Sequence, residues 1–227
     1  METLRNALGA LTAACLLWTG HARANLLTNG SFENTGGTFV GDANQVDELS
    51  SGSTVIPGWT TINGVPTAWI ENGNPYGISA STGTFFLDLT GYSNVGTYGG
   101  VSQSVTGLTV GASYSLTFDL GYGGNSPIFG GPVTVRVNAG SSSGTFTSGS
   151  GSPNPAVWDG ETFDFTSTAA TEALSIIGLS TACGDYIGVD NADLELAAVV
   201  PAPEPGTIAL LGTWLFGLGW LVHRRRA

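Results

Sequence analysis

Three stretches of this chain alternate apolar and polar residues with a period of two. Tyr114, Leu116, Phe118 and Leu120 fall on one face, and Ser115, Thr117 and Asp119 on the other. Val133, Val135 and Val137 oppose Thr134 and Arg136, and Phe163 and Phe165 oppose Thr162, Asp164 and Thr166. An extended backbone points successive side chains to opposite sides, so each stretch predicts a strand with one buried face. Runs at 67–71, 84–89, 100–106, 172–180 and 185–196 predict further strands. Turn-forming pairs punctuate them, at Pro57-Gly58, Gly99-Gly100, Gly123-Gly124 and Gly130-Gly131-Pro132. Many half-buried strands with no amphipathic helix between them predict an all-β fold, an antiparallel sandwich. Segments 34–56 and 140–156 carry no such pattern and read as a long loop and a Gly/Ser-rich connection.

The two ends follow another pattern. Residues 1–24 read as a signal peptide: Arg5 near the start, an apolar stretch from Ala7 to Trp18, and Ala22-Arg23-Ala24 as an A-x-A cleavage signature. An N-terminal anchor helix fits less well, because the apolar stretch is short and a cleavage site follows it. Lipoprotein processing at Cys15 is disfavoured because the apolar run continues through Leu16, Leu17 and Trp18. At the other end, a proline-rich linker at 199–205 precedes an uncharged run from Gly206 to Val222, and a basic tail occupies 223–227. A helix over 206–222 is roughly 25 Å long at 1.5 Å per residue, at the short limit for a bilayer core of about 30 Å. A transmembrane helix is therefore expected there. Arg224, Arg225 and Arg226 would stay cytoplasmic, leaving the β domain of residues 25–198 outside.

Composition narrows the chemistry. The 227 residues include 35 glycines and no lysine, and of the six arginines only Arg136 lies between residues 25 and 202, against 15 of the 17 acidic residues. Such a surface repels phosphate backbones, so nucleic acid is excluded as a partner. It also leaves oxygens available to Ca²⁺. Both histidines, His21 and His223, fall in the terminal segments, and so does Cys15, leaving Cys183 as the one thiol of the domain. An internal disulfide, a Ser/His/Asp triad, a Cys/His dyad and a histidine-based zinc site are thereby excluded from the domain. The lack of lysine removes Schiff-base chemistry. A pair of carboxylates of the glycosidase type is what remains for catalysis, with Asp88, Asp119, Glu161 and Asp164 available but no paired-acid motif among them. A non-enzyme is the expectation. Tyr92, Tyr98, Tyr122, Phe129 and Trp158 lie in or beside Gly-rich loops and are candidate sugar platforms, whereas Trp59 and Trp69 are expected in the core.

Two resemblances extend this picture. The Pro203-Glu204-Pro205 triplet, the apolar span from Ile208 and the Arg224–Arg226 cluster, in that order, resemble the PEP-CTERM sorting signal. That resemblance implies a processing partner of the exosortase type, cleavage near the triplet, and an exported protein held at the inner membrane or released to the cell surface. Asn25 to Glu33, Pro57-Gly58-Trp59, the segments 100–105 and 111–118, and Val189 to Leu194 are similar, in order, to carbohydrate-binding-module-type jelly rolls with the galactose-binding-like fold. This implies an opening strand at 25–33 and a structural Ca²⁺ between Glu33 and Asp190, with backbone oxygens from Asn29 to Ser31. It also implies polysaccharide as the ligand. A structural matrix or adhesion protein with protein partners is the alternative, and a glycoside-active enzyme a remote third.

Overall fold

The computed structural model describes residues 24–92, 96–181, 184 and 186–197. The leader, apart from Ala24, the linker with Pro203, Glu204 and Pro205, the 206–222 helix and the basic tail with Arg224 to Arg226 lie outside the described residues. Among the described residues no helix is long and apolar enough to cross a membrane.

Eleven strands are found among the described residues: β1 (Val46–Leu49), β2 (Thr60–Ile62), β3 (Thr67–Glu71), β4 (Phe85–Asp88), β5 (Gly100–Thr106), β6 (Ser113–Tyr122), β7 (Val133–Ala139), β8 (Ser142–Thr147), β9 (Val157–Thr166), β10 (Thr171–Thr181) and β11 (Gly188–Leu196). They form two antiparallel sheets, one ordered β1-β3-β4-β11-β6-β9 and the other β2-β5-β10-β7-β8. The architecture is an all-β sandwich. Its long strands are those with period-two alternation: β6 buries Tyr114, Leu116, Phe118 and Leu120 and leaves Thr117 exposed, and β7 buries its valines and exposes Arg136. From the second sheet Val101, Val105, Leu174 and Ile176 join the same core. Each such side chain contributes about 1.5–3 kcal/mol on burial.

Aromatic rings fill the widest part of the core. Trp69 is fully buried between Phe39 and Phe85, with centroids 5.3 and 5.5 Å away, and Trp59 packs on Phe32 at 5.5 Å. Both tryptophans are core residues, as expected.

The opening segment differs from expectation. Residues 24–33 form turns, not a strand, because Asn29 and Phe32 adopt positive φ (55° and 59°) and break the ladder. Side-chain amides tie the segment down instead. Gln103 donates to Thr28 O at 2.9 Å and accepts from Thr28 N at 2.7 Å, and Asn25 accepts from Leu194 N at 3.0 Å. Trp59 Nε1 donates to Asn29 O at 3.0 Å. Gly30 sits against Ala192 O where any Cβ would collide, and its own carbonyl accepts from Ala192 N at 2.9 Å. The chain crosses β11 closely here, and only glycine leaves room.

The segments without pattern also hold strands. β1 lies inside 34–56 and β8 inside 140–156. The last strand starts at Gly188, after Tyr186 and Ile187 have turned to opposite sides of the sheet.

Candidate functional site

The outer face of the six-stranded sheet, turned away from the sandwich core, carries a second apolar cluster: Val46, Ala68, Ile70, Ile78, Phe86 and Tyr186, flanked by Tyr76, Phe129 and Trp158. Such a cluster arises because β3 and β4 are apolar at consecutive positions, so both of their faces are covered. One row of the register crosses all six strands on this face: Glu48, Ala68, Asp88, Gly188, Gly121, Trp158. Acids stand at one end, a tryptophan at the other, and the middle is bare of side chains. Tyr186 occupies that bare stretch. A Cβ on Gly121 would lie 2.8 Å from the Tyr186 hydroxyl, and one on Gly188 would collide with it.

Beside this row lies a cleft of about 180 Å³, with Val46, Ala68, Ile70 and Ile78 as its apolar wall, Tyr76, Tyr92, Phe129 and Tyr186 as its rings, and Asp88 as its buried acid. Tyr92 is 51 % exposed and its hydroxyl donates to Asp42 at 2.7 Å, which lowers the Asp42 pKa. The Tyr92 amide donates to both Glu48 oxygens, at 3.1 and 3.2 Å. Burial, with the charge of Asp42 adding to it, pushes Glu48 above the usual carboxylate range. Asp88 Oδ1 accepts from Thr90 N and Thr90 Oγ1, both at 2.9 Å, and from Ile187 N at 3.1 Å. Burial nevertheless raises Asp88 to about 7, and the charge of Glu48 adds to the rise. Chemically the cleft offers flat rings for stacking and carboxylate oxygens for hydroxyl or ammonium donors.

The expected metal pair lies elsewhere, at the segment 81–85. Glu33 Oε1 accepts from Thr84 N at 2.9 Å and Phe85 N at 2.8 Å, while Asp190 Oδ2 accepts from Thr82 N at 3.1 Å. The two carboxyls thus grip neighbouring residues of one loop although 190 − 33 = 157 positions separate them. Asp190 is fully buried and raised to about 7 by burial, with Glu33 contributing repulsion. Arg136, the one cationic side chain of the domain, is exposed on β7 in the other sheet and does not neutralise them. The buried Asp190 and the half-buried Glu33 offer carboxylate oxygens, the donor type that Ca²⁺ takes. Among the described residues no group of three or more His, Cys, Asp and Glu gathers at one point, so backbone and amide oxygens must complete any shell. Asn29 O and Gly30 O, two of the expected donors, already accept from Trp59 Nε1 and Ala192 N.

Of the expected platforms, two require correction. Tyr98 and Tyr122 are each 8 % exposed and belong to the core between the sheets. Gly-rich flanks suggested accessible loops, but those glycines let the backbone pack closely on the rings, Gly131 and Gly149 against Tyr122 and Gly178 against Tyr98. Trp158 is half-buried on Phe86 (5.8 Å, edge-on) and donates from Nε1 to Ser79 O at 3.0 Å. Tyr92 and Phe129 do line the cleft. Tyr76, Tyr186, Asp42 and Glu48 were not singled out from the sequence. The available signal was the outward-facing Val46, Ala68, Ile70 and Phe86, apolar where a solvated face would be polar.

The chain is a member of the family described as Protein of unknown function (DUF642), whose model matches residues 25–187. It is similar to halomucin of Haloquadratum walsbyi, 29 % identical over 175 residues; the match covers 75 % of this chain and 2 % of that protein. The chain therefore spans about 2 % of the length of the curated relative it matches. Among solved structures it is similar to TmCBM61 in complex with β-1,4-galactotriose (14 % identity, TM-score 0.44, covering 77 % of this chain and 99 % of that one). It is also similar to a family 35 carbohydrate binding module from Clostridium thermocellum (11 %, TM-score 0.40, 67 % and 98 %). A third similar structure is the arabinose-bound MgGH51 α-L-arabinofuranosidase (16 %, TM-score 0.47, 76 % and 26 %).

Proposed function

We propose that this protein is an exported, non-catalytic module that binds polysaccharide at the cell surface through the outer-face cleft. The observation that carries this reading is the cleft itself, in which Tyr76, Tyr92, Phe129 and Tyr186 stand beside Asp88 on a rigid sheet. Rings at fixed positions stack on pyranose faces, and neighbouring acceptors select their hydroxyls. A glycan array, probed with and without Ca²⁺, tests it: wild type gives a defined set of sugar signals, and Tyr92→Ala, at an exposed position, lowers them at least about tenfold without unfolding the domain. A blank array would favour the structural matrix or adhesion role, with protein partners.

In this reading Glu33 and Asp190 hold a structural Ca²⁺ that joins the opening segment to β11. The ion supplies charge neutralisation. The residues themselves hold the 81–85 loop by its amides. A ligand bound only by the native state stabilises it by about 2.7 kcal/mol at a hundredfold excess over Kd. EDTA should therefore lower the melting temperature of the wild type and leave Asp190→Ala almost unmoved; equal shifts in both would refute the site.

Export is attributed to residues 1–24, and anchoring to 206–222 with its Arg224–Arg226 flank. An exosortase-type enzyme acting near Pro203-Glu204-Pro205 would release the domain from the inner membrane to the cell surface. Deleting residues 206–227 is expected to move the protein from the membrane pellet to the soluble fraction. Continued sedimentation with membranes would mean that another segment holds it.

A further inference from the structure

Resting on the reading of the cleft as a glycan site, we propose that its occupant is an amino sugar bearing a free ammonium group, as in a de-N-acetylated glycan. Three observations carry this. The first is charge: Asp88 lies in the wall, and Glu48 and Asp42 reach the rim through Tyr92, while the domain's one cation, Arg136, is on the other sheet. A uronate or sulfated unit would be repelled, and a neutral one would cover these acids without compensating them. An ammonium compensates them.

The second is the ring arrangement. Tyr76 and Phe129 meet edge-on at 5.8 Å, and Phe129 meets Tyr186 edge-on at 6.3 Å, so the rings stand at steep angles around one space that Tyr92 also lines. Rings disposed around a space and backed by carboxylates attract a cation through their faces.

The third is unused hydrogen-bonding capacity. Glu48 accepts a single amide, that of Tyr92, shared between both oxygens, leaving most of its acceptor sites unfilled among the described residues. The cleft, at about 180 Å³, falls below the roughly 300–1,000 Å³ typical of drug-sized ligands, which suits one sugar unit of a chain.

The test uses three β-1,4-linked hexamers that differ only at C2: glucosamine hexamer, its fully N-acetylated counterpart and cellohexaose. Each is titrated calorimetrically into the full chain in detergent. The expected result is glucosamine hexamer binding on the order of tenfold tighter than the other two, a preference that 0.5 M NaCl and Glu48→Gln both abolish. Asp164→Asn, at an exposed position on β9 remote from the cleft, separates a site from general attraction to an acidic surface. It should leave the preference intact, and an equal loss in Asp164→Asn and Glu48→Gln would overturn the proposal. Equal binding of all three hexamers, lost in Tyr92→Ala, would overturn the amino-sugar assignment and leave the glycan site standing. No binding of any hexamer, together with a blank array, would overturn both.

Discussion

Truncating Leu116 to alanine is expected to cost about 2–5 kcal/mol of stability, whereas Thr117→Ala should cost well under about 1 kcal/mol. Leu116 is fully buried in the middle of β6, which has β9 on one side and β11 on the other. Its cross-strand partners are Phe163 and Leu194, themselves in the core. Removing the isobutyl group loses transfer energy and leaves a cavity between two hydrogen-bonded sheets that cannot collapse far. Thr117 points from the same strand to solvent and opposes Thr162 and Asp193. Urea denaturation of both variants measures the contrast. Equal losses would mean that the strand presents the opposite face to the core.

Acidification is expected to stabilise the domain, through Asp88. Its carboxyl titrates at about 7 in the folded protein against an ordinary value of 3.8. A folded-state pKa above the unfolded one means that the native state holds the proton more tightly between those values. Stability is therefore full below about pH 4, is lost progressively as pH rises to 7, and is flat above. The gap corresponds to about 4 kcal/mol for the whole window. Glu48 raises Asp88 further, and Asp190, also about 7, adds its own loss over the same window where no cation compensates it, while Asp42, held low by the Tyr92 hydroxyl, acts in the opposite sense. Asp88→Asn keeps the shape and cannot ionise. Melting temperatures from pH 4.5 to 8 should fall more steeply for wild type than for the variant, and parallel curves would show that Asp88 does not carry the effect.

What the sequence discloses about this fold follows from how strongly each strand needs one face. The runs 67–71 and 100–106 coincide with β3 and β5 to the residue. β6, β7 and β9 were legible because one side is core and the other water. β1 and β8 were not: Val46 and Leu49 face opposite sides with two acids between, and β8 has Phe146 as its one large apolar residue, so neither shows a period. The opening segment resembled a strand by residue order, but Asn29 and Phe32 at positive φ are a tertiary outcome of the crossing at Gly30. For the cleft, Tyr92 and Phe129 were visible as loop aromatics. Tyr76 and Tyr186 became site residues only because register brought β3, β4 and β11 side by side. Glu33 and Asp190 came together as a pair only through the resemblance to the jelly-roll modules, and their shared grip on one loop is a matter of geometry.

The bare middle of the outer-face row restricts how this chain can change over time. Gly121 and Gly188 stand on different strands, 67 positions apart (188 − 121 = 67), yet the Tyr186 hydroxyl blocks a side chain at either. Neither glycine can be replaced first: a methyl group there meets the phenol while it is still in place. The order of substitution is thus fixed, tyrosine before glycine. A lineage that trades Tyr186 for a smaller residue relieves Gly188 of its closest contact, whereas Gly121 stays blocked by the Trp158 ring, 2.6 Å from any Cβ built there. One that keeps the tyrosine is held to the same two glycines.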